Sequence, residues 1–193
     1  SNNFYYKYNE GYRSPLSASH FEQYLQGIEN KAAIWINVPN SQGKEAILPS
    51  RSRQRVSEAK VIAEYVNKWI CSEEGSGLTF GIISFYKAQV FAVYEALQKF
   101  GITERAQDGT WQICQEYRFL ENGEERLRIG TVDAFQGMEF DIVLLSIVRS
   151  QDINALPPHI RNEEDYKKKQ QKLFGHLMSE NRLCVSMSRQ KKV

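Results

Sequence analysis

Residues 128–149 read RIGTVDAFQGMEFDIVLLSIVR, and this stretch constrains the fold more than any other. A strand over 128–131 runs into a tight segment, 132–137, and a second, nearly all-apolar strand follows over 140–148. Thr131 is placed to cap the short helical turn, with Asp133 two residues on and Gly137 as its stop. Free backbone N–H groups and a hydroxyl at the end of a buried strand make an anion site, and phosphate is the usual anion there. Gln136 and Glu139 flank the same turn with an amide and a carboxylate suited to a ribose or a base. An ordinary strand–turn–strand with a polar corner is an equal reading of this stretch taken alone.

The rest of the chain supplies a context for that corner. An apolar run over 33–38 predicts a buried strand, and a polar loop follows over 39–53. From 55 to 70, Val56, Ala59, Ile62, Val66 and Trp69 recur at helical spacing. Gly75 and Gly77 mark a turn before a buried strand over 78–84, and 87–100 is helical again, with Val90, Val93, Tyr94 and Leu97 on one face. Alternation of Trp111, Ile113, Gln115, Tyr117 and Phe119 across Asn122-Gly123 from Leu127 and Ile129 predicts an inserted antiparallel hairpin over 111–127. A short helix is expected over 19–27, a loop at Pro157-Pro158 with an exposed helix after it, and a last helix over 179–191. This rhythm of strand and helix predicts an α/β domain with a mostly parallel sheet flanked by helices. Ligands on such sheets sit beyond the carboxyl ends of the strands, where 84–89 and 131–139 are expected to fall.

Composition narrows the function classes. The chain has 193 residues, 41% apolar and 25% charged, with a net charge of +2. That balance suits one domain with a real core and excludes a simple polycation. Basic groups gather locally: 44–60 holds five against two acids, and Arg182, Arg189, Lys191 and Lys192 follow the last acid, Glu180. Cys71, Cys114 and Cys184 lie far apart, as do His20, His159 and His176, so no metal-ligand spacing exists and reduced thiols in an intracellular compartment are expected. No apolar run reaches membrane-spanning length. No GxxxxGK[ST] or GxGxxG loop is present, and Gly43-Lys44-Glu45 lacks the following hydroxyl. If the domain meets a nucleoside triphosphate, another domain must cradle the phosphates.

Three segments, in order, resemble motifs of superfamily 1 helicases of the branch that includes the nonsense-mediated-decay RNA helicase. GIISFYKAQ (81–89) resembles motif IV, GTVDAFQGMEFDIVLLSIVRS (130–150) motif V, and NRLCVSMSRQKK (181–192) motif VI. SEAKVIAEYV (57–66) is similar to the family's N-x-x-E-A helix, and SNNFYYK at the start to the segment after its Y-R-x-H-P motif. The latter match argues against Tyr12-Arg13 as the family's second arginine finger. The resemblance covers essentially the whole chain and implies the second RecA-like domain of an ATP-dependent helicase, 1–193 being that domain and the first lying elsewhere in a longer polypeptide.

It also implies roles. Arg189 matches the motif VI finger, which needs a planar, permanently charged donor for the charge gathering on transferring oxygens. Gln136, Gly137 and Glu139 with Arg189 would contact the nucleotide, ATP with Mg2+, the metal being held mainly by the first domain. Thr131 matches the threonine that binds a strand phosphate; Ser84, Tyr86 and Gln89 match positions of nucleic-acid and domain contacts; Asp133 would couple the strand and nucleotide sides. No site residue is expected to bind metal. The implied partners are single-stranded RNA or DNA, tracked 5′ to 3′, and the first RecA-like domain, with no membrane. Phe85 replaces the usual proline, Cys184 asparagine, Met187 leucine and Gln190 alanine. The alternatives are a non-catalytic helicase-like docking module and another ATP-driven translocase or nuclease carrying the same motifs. Taken alone, the chain is expected not to hydrolyse ATP.

Overall fold

The computed structural model describes residues 17–149 and 163–192. The matches at SNNFYYK and Tyr12-Arg13 and the loop at Pro157-Pro158 lie outside the described residues.

Two short strands, β1 (Ala46–Ile47) and β2 (Arg53–Gln54), pair as a small hairpin within the stretch expected to be loop. Helix α1 (Val56–Ile70) follows and buries Ala59, Ile62, Ala63, Val66, Trp69 and Ile70, a single stripe at helical spacing. Strand β3 (Phe80–Ser84) is buried at every position, which only a sheet covered on both faces allows. Helix α2 (Lys87–Gln98) returns antiparallel over that sheet. Then come β4 (Thr103–Arg105), β5 (Trp111–Ile113), a single helical turn α3 (Gln115–Arg118), β6 (Leu127–Thr131), β7 (Ile142–Ser146), α4 (Glu163–Phe174) and α5 (Glu180–Met187).

The main sheet has the order β6-β3-β7, all parallel. Strand alternation gives it two unlike faces. Phe80, Ile82, Leu127, Ile129 and Ile142 meet α1 and α2 in the larger core. The other face, with Ile83, is covered by Phe135 and Phe140, and Leu183 and Val185 of α5 pack at its margin. Gly81 and Gly130 are needed on that face for close approach. A Cβ on Gly81 would stand 2.9 Å from Phe135, and one on Gly130 3.3 Å from the same ring.

The strands predicted around 78–84, 128–131 and 140–148, the helices α1, α2 and α5, and the exposed helix α4 are present. Three expectations are corrected. Residues 33–38 form no strand. Trp35 is 77% exposed, because no ladder partner stands beside this segment among the described residues and apolar composition alone cannot supply one. The inserted hairpin exists, but β5 pairs backward with β4 across a turn at Gly109 (φ +79°). Asn122-Gly123 does form a turn, with Gly123 at φ +82°, yet it closes only one bridge, Phe119 to Glu125, because α3 interrupts the alternation. The expected helix over 19–27 is a single 3-10 turn, Ala18–Phe21.

Candidate functional site

Because β6 and β7 are parallel, the connection between them must cross the sheet from its carboxyl to its amino end. It does so along the glycine-bearing face. A 3-10 turn, Val132–Phe135, leaves β6; Gly137 takes φ +78°; Phe140 lies buried at the approach to β7. The expected single corner is therefore two, at opposite edges of the sheet.

At the carboxyl edge, Thr131, Ser84 and Ser146 stand level with one another across the three strands. Thr131 holds the N-cap position with the extended backbone a cap residue takes (ψ 161°), but its hydroxyl makes no capping bond, contrary to expectation. That half-buried hydroxyl makes no hydrogen bond among the described residues. Ser84 is buried, donating to the Ser146 carbonyl (3.3 Å) and accepting from the Tyr86 N–H (3.3 Å). Gln89 is wholly buried. Its Oε1 accepts from the Arg55 N–H at 2.7 Å, and its Nε2 reaches the Arg55 carbonyl (3.2 Å) and the Ser146 hydroxyl (3.0 Å). Tyr86 is buried too, its ring 5.4 Å from that of His176. Ser84, Tyr86 and Gln89 thus face inward in this structure, an arrangement different from the direct strand contact expected of them. The signal for Gln89 was present in its helical position beside the buried Ala88, Val90 and Val93.

Asp133 is exposed and lies 3.6 Å from the Arg182 guanidinium, which also reaches His176 Nδ1 at 3.0 Å. Partial burial, with the Arg182 and Arg149 cations nearby, holds the His176 pKa below its ordinary value.

At the other edge, Gln136, Gly137 and Glu139 are exposed on the return toward β7. Arg189, just past α5, comes to the same place. Its Nη1 donates to the Met138 carbonyl (3.2 Å), Nε to the Val185 carbonyl (3.0 Å) and Nη2 to the Ser188 hydroxyl (2.9 Å). The chain then runs beside the entry to β7, with the Phe140 N–H bonded to the Arg189 carbonyl at 2.9 Å. Lys191 adds a second cation. Its hydrogen bond to Glu124 (2.9 Å) raises its pKa, and the Glu139 carboxylate acts in the same direction. An exposed carboxylate beside two cations, with backbone exposed at a glycine, can receive an anionic ligand bearing hydroxyl groups. Arg182 and Arg189, seven positions apart on and just past α5, put this helix between the two edges, about 10 Å along its axis. Among the described residues no group of three His, Cys, Asp or Glu side chains converges as a metal site, and no helix is long and apolar enough to cross a membrane.

A family model described as an AAA domain matches residues 1–193. Two Danio rerio proteins named as helicases are similar to this chain. Helicase mov-10-B.1 is 27% identical over 141 residues, 70% of this chain and 11% of that protein. Helicase mov-10-B.2 is 26% identical over 164 residues, 82% of this chain and 13% of that protein. The chain therefore spans only a small part of the length of these relatives.

Proposed function

The chain belongs, along its whole length, to the AAA-domain family of superfamily 1 helicases, and from that membership we propose that it is the second RecA-like domain of an ATP-driven motor on single-stranded RNA or DNA. The carrying observation is the hydrogen bond of Arg189 to the Met138 carbonyl on the return toward β7, 51 residues earlier in the chain. In this reading Gln136, Gly137 and Glu139 receive the sugar and phosphate end of ATP. Arg189 leaves its carbonyl partners to reach the γ-phosphate when the first RecA-like domain closes. A guanidinium suits that task because it is charged at every physiological pH and offers its donors in one plane. Glu139 is joined by no cluster of metal-ligating side chains among the described residues, so in this reading the magnesium that accompanies ATP would be held mainly by the first domain.

At the opposite edge Thr131 offers a hydroxyl to a strand phosphate, which holds the strand without reading its sequence. Ser84 and Gln89 support that edge from within. Asp133 and Arg182 join it to α5, and α5 leads to Arg189, so strand and nucleotide occupancy are mechanically linked. The protein works inside the cell, in cytoplasm or nucleus, where its thiols stay reduced.

The test is Arg189→Ala in the complete protein. Strand-stimulated ATP hydrolysis is expected to fall about a thousandfold or more, the scale of a lost arginine finger, while single-strand affinity stays within about twofold, under 0.5 kcal/mol. Full turnover by this variant removes the finger from the mechanism.

A further inference from the structure

Glu58 sits in the first turn of α1, yet its carboxylate addresses the far end of β7. It accepts the Ser146 hydroxyl at 2.9 Å and the Val148 N–H at 3.1 and 3.2 Å, and the Arg55 guanidinium stands 4.0 Å away. Gln89 Nε2 already donates to the Ser146 oxygen, so the serine proton is directed to Glu58. Every group facing the carboxylate is a donor.

What it holds is unusual. Val148 is fully buried with φ +67°, a left-handed backbone that β-branched residues almost never adopt. The next side chain, Arg149, is 2% exposed. Its Nε donates to the Leu173 carbonyl at 2.6 Å and its Nη2 to that of Lys172, closing the last turn of α4. Ser146, one end of this network, is level with Ser84 and Thr131.

We propose that Glu58 is a positioning residue for the strand-binding edge: it locks the strained Val148–Arg149 turn and the Ser146 hydroxyl, and so holds from within the edge on which Thr131 meets a nucleic-acid backbone. The proposal rests on the reading of that edge given above. Glutamine has nearly the same shape but turns an amide donor toward groups that are all donors, so Glu58→Gln is the sharp perturbation.

The measurement is fluorescence anisotropy of a labelled oligouridylate with the complete protein. Glu58→Gln is expected to weaken binding about tenfold, the loss of one hydrogen bond to a charged group. In a Val148→Gly background, where glycine takes positive φ without strain, the same substitution should change affinity less than about threefold. Equal losses in both backgrounds mean that Glu58 is not acting through the Val148 turn, and overturn the proposal. Wild-type affinity in Glu58→Gln alongside weakened binding in Thr131→Ala overturns it too, while leaving the strand edge in place. If neither variant weakens binding, the strand edge itself is wrong and the proposal falls with it. Should Glu58→Gln fail to fold, Ser146→Ala reads the same network: about tenfold weaker binding is expected, because the lost bond is again one to the charged carboxylate, and unchanged affinity overturns the proposal.

Discussion

Gly81→Ala isolates the contact that lets the β6–β7 connection cross the sheet. The new Cβ would lie 2.9 Å from Phe135 Cε1 and 3.1 Å from Phe140 Cδ2, against about 3.5–4.0 Å for unstrained carbon contacts. Neither ring can step aside cheaply. They are 0% and 2% exposed, meet edge to face at 5.5 Å, and Phe135 is also close to Gly130. Overpacking of this kind costs about 1–3 kcal/mol, and the stiffer unfolded chain of alanine returns about 0.4–1 kcal/mol. A net loss of about 1–2 kcal/mol corresponds to a melting temperature lower by roughly 2–8 °C for a domain of this size. Thermal unfolding followed by circular dichroism measures it directly. Gly130→Ala, whose nearest contact is 3.1 Å to the small Ala134 side chain, should lose less. Because the two rings carry the 136–139 return, Gly81→Ala should also raise the KM for ATP. A Gly81→Ala protein that melts at or above the wild-type temperature would refute the idea that glycine is needed here for ring approach.

Other substitutions probe the remaining parts of the site. Gln89→Ala strands the buried Arg55 N–H now bonded at 2.7 Å, a loss of about 1–3 kcal/mol; urea denaturation should show a lower midpoint, and an unchanged one would mean that this bond does not support the fold. His176 responds to pH with a definite sign. Its folded pKa is lowered, so the unfolded chain takes up the proton first as pH falls. Its contribution is complete above the unfolded value of about 6.5 and is lost as pH drops through the lowered folded value. His176→Gln should flatten the melting profile in that range, and parallel profiles for the two proteins would contradict it.

Much of this domain was legible along the chain because its signals are local. The stripe on α1 and the buried run of β3 follow from spacing and apolarity. Other features depended on partners that a linear pattern cannot name. Trp111 to Ile113 has strand character, but its ladder lies behind it in the chain, across Gly109, because α3 breaks the alternation ahead. Residues 33–38 have strand character too, and no neighbour among the described residues to express it. Glu58 was visible only as part of a helical match, since nothing local says that its carboxylate meets Val148 ninety residues later.

The sequence by itself determined the α/β class, the family and the residue types available for phosphate and nucleotide chemistry, since periodicity and short motifs are properties of neighbours. Tertiary structure alone decided that the motif V corner is divided. Parallel pairing of β6 and β7 forces the chain between them back across the sheet. That crossing leaves Thr131 at one edge, carries Glu139 to the other, and brings the neighbouring Met138 carbonyl to Arg189.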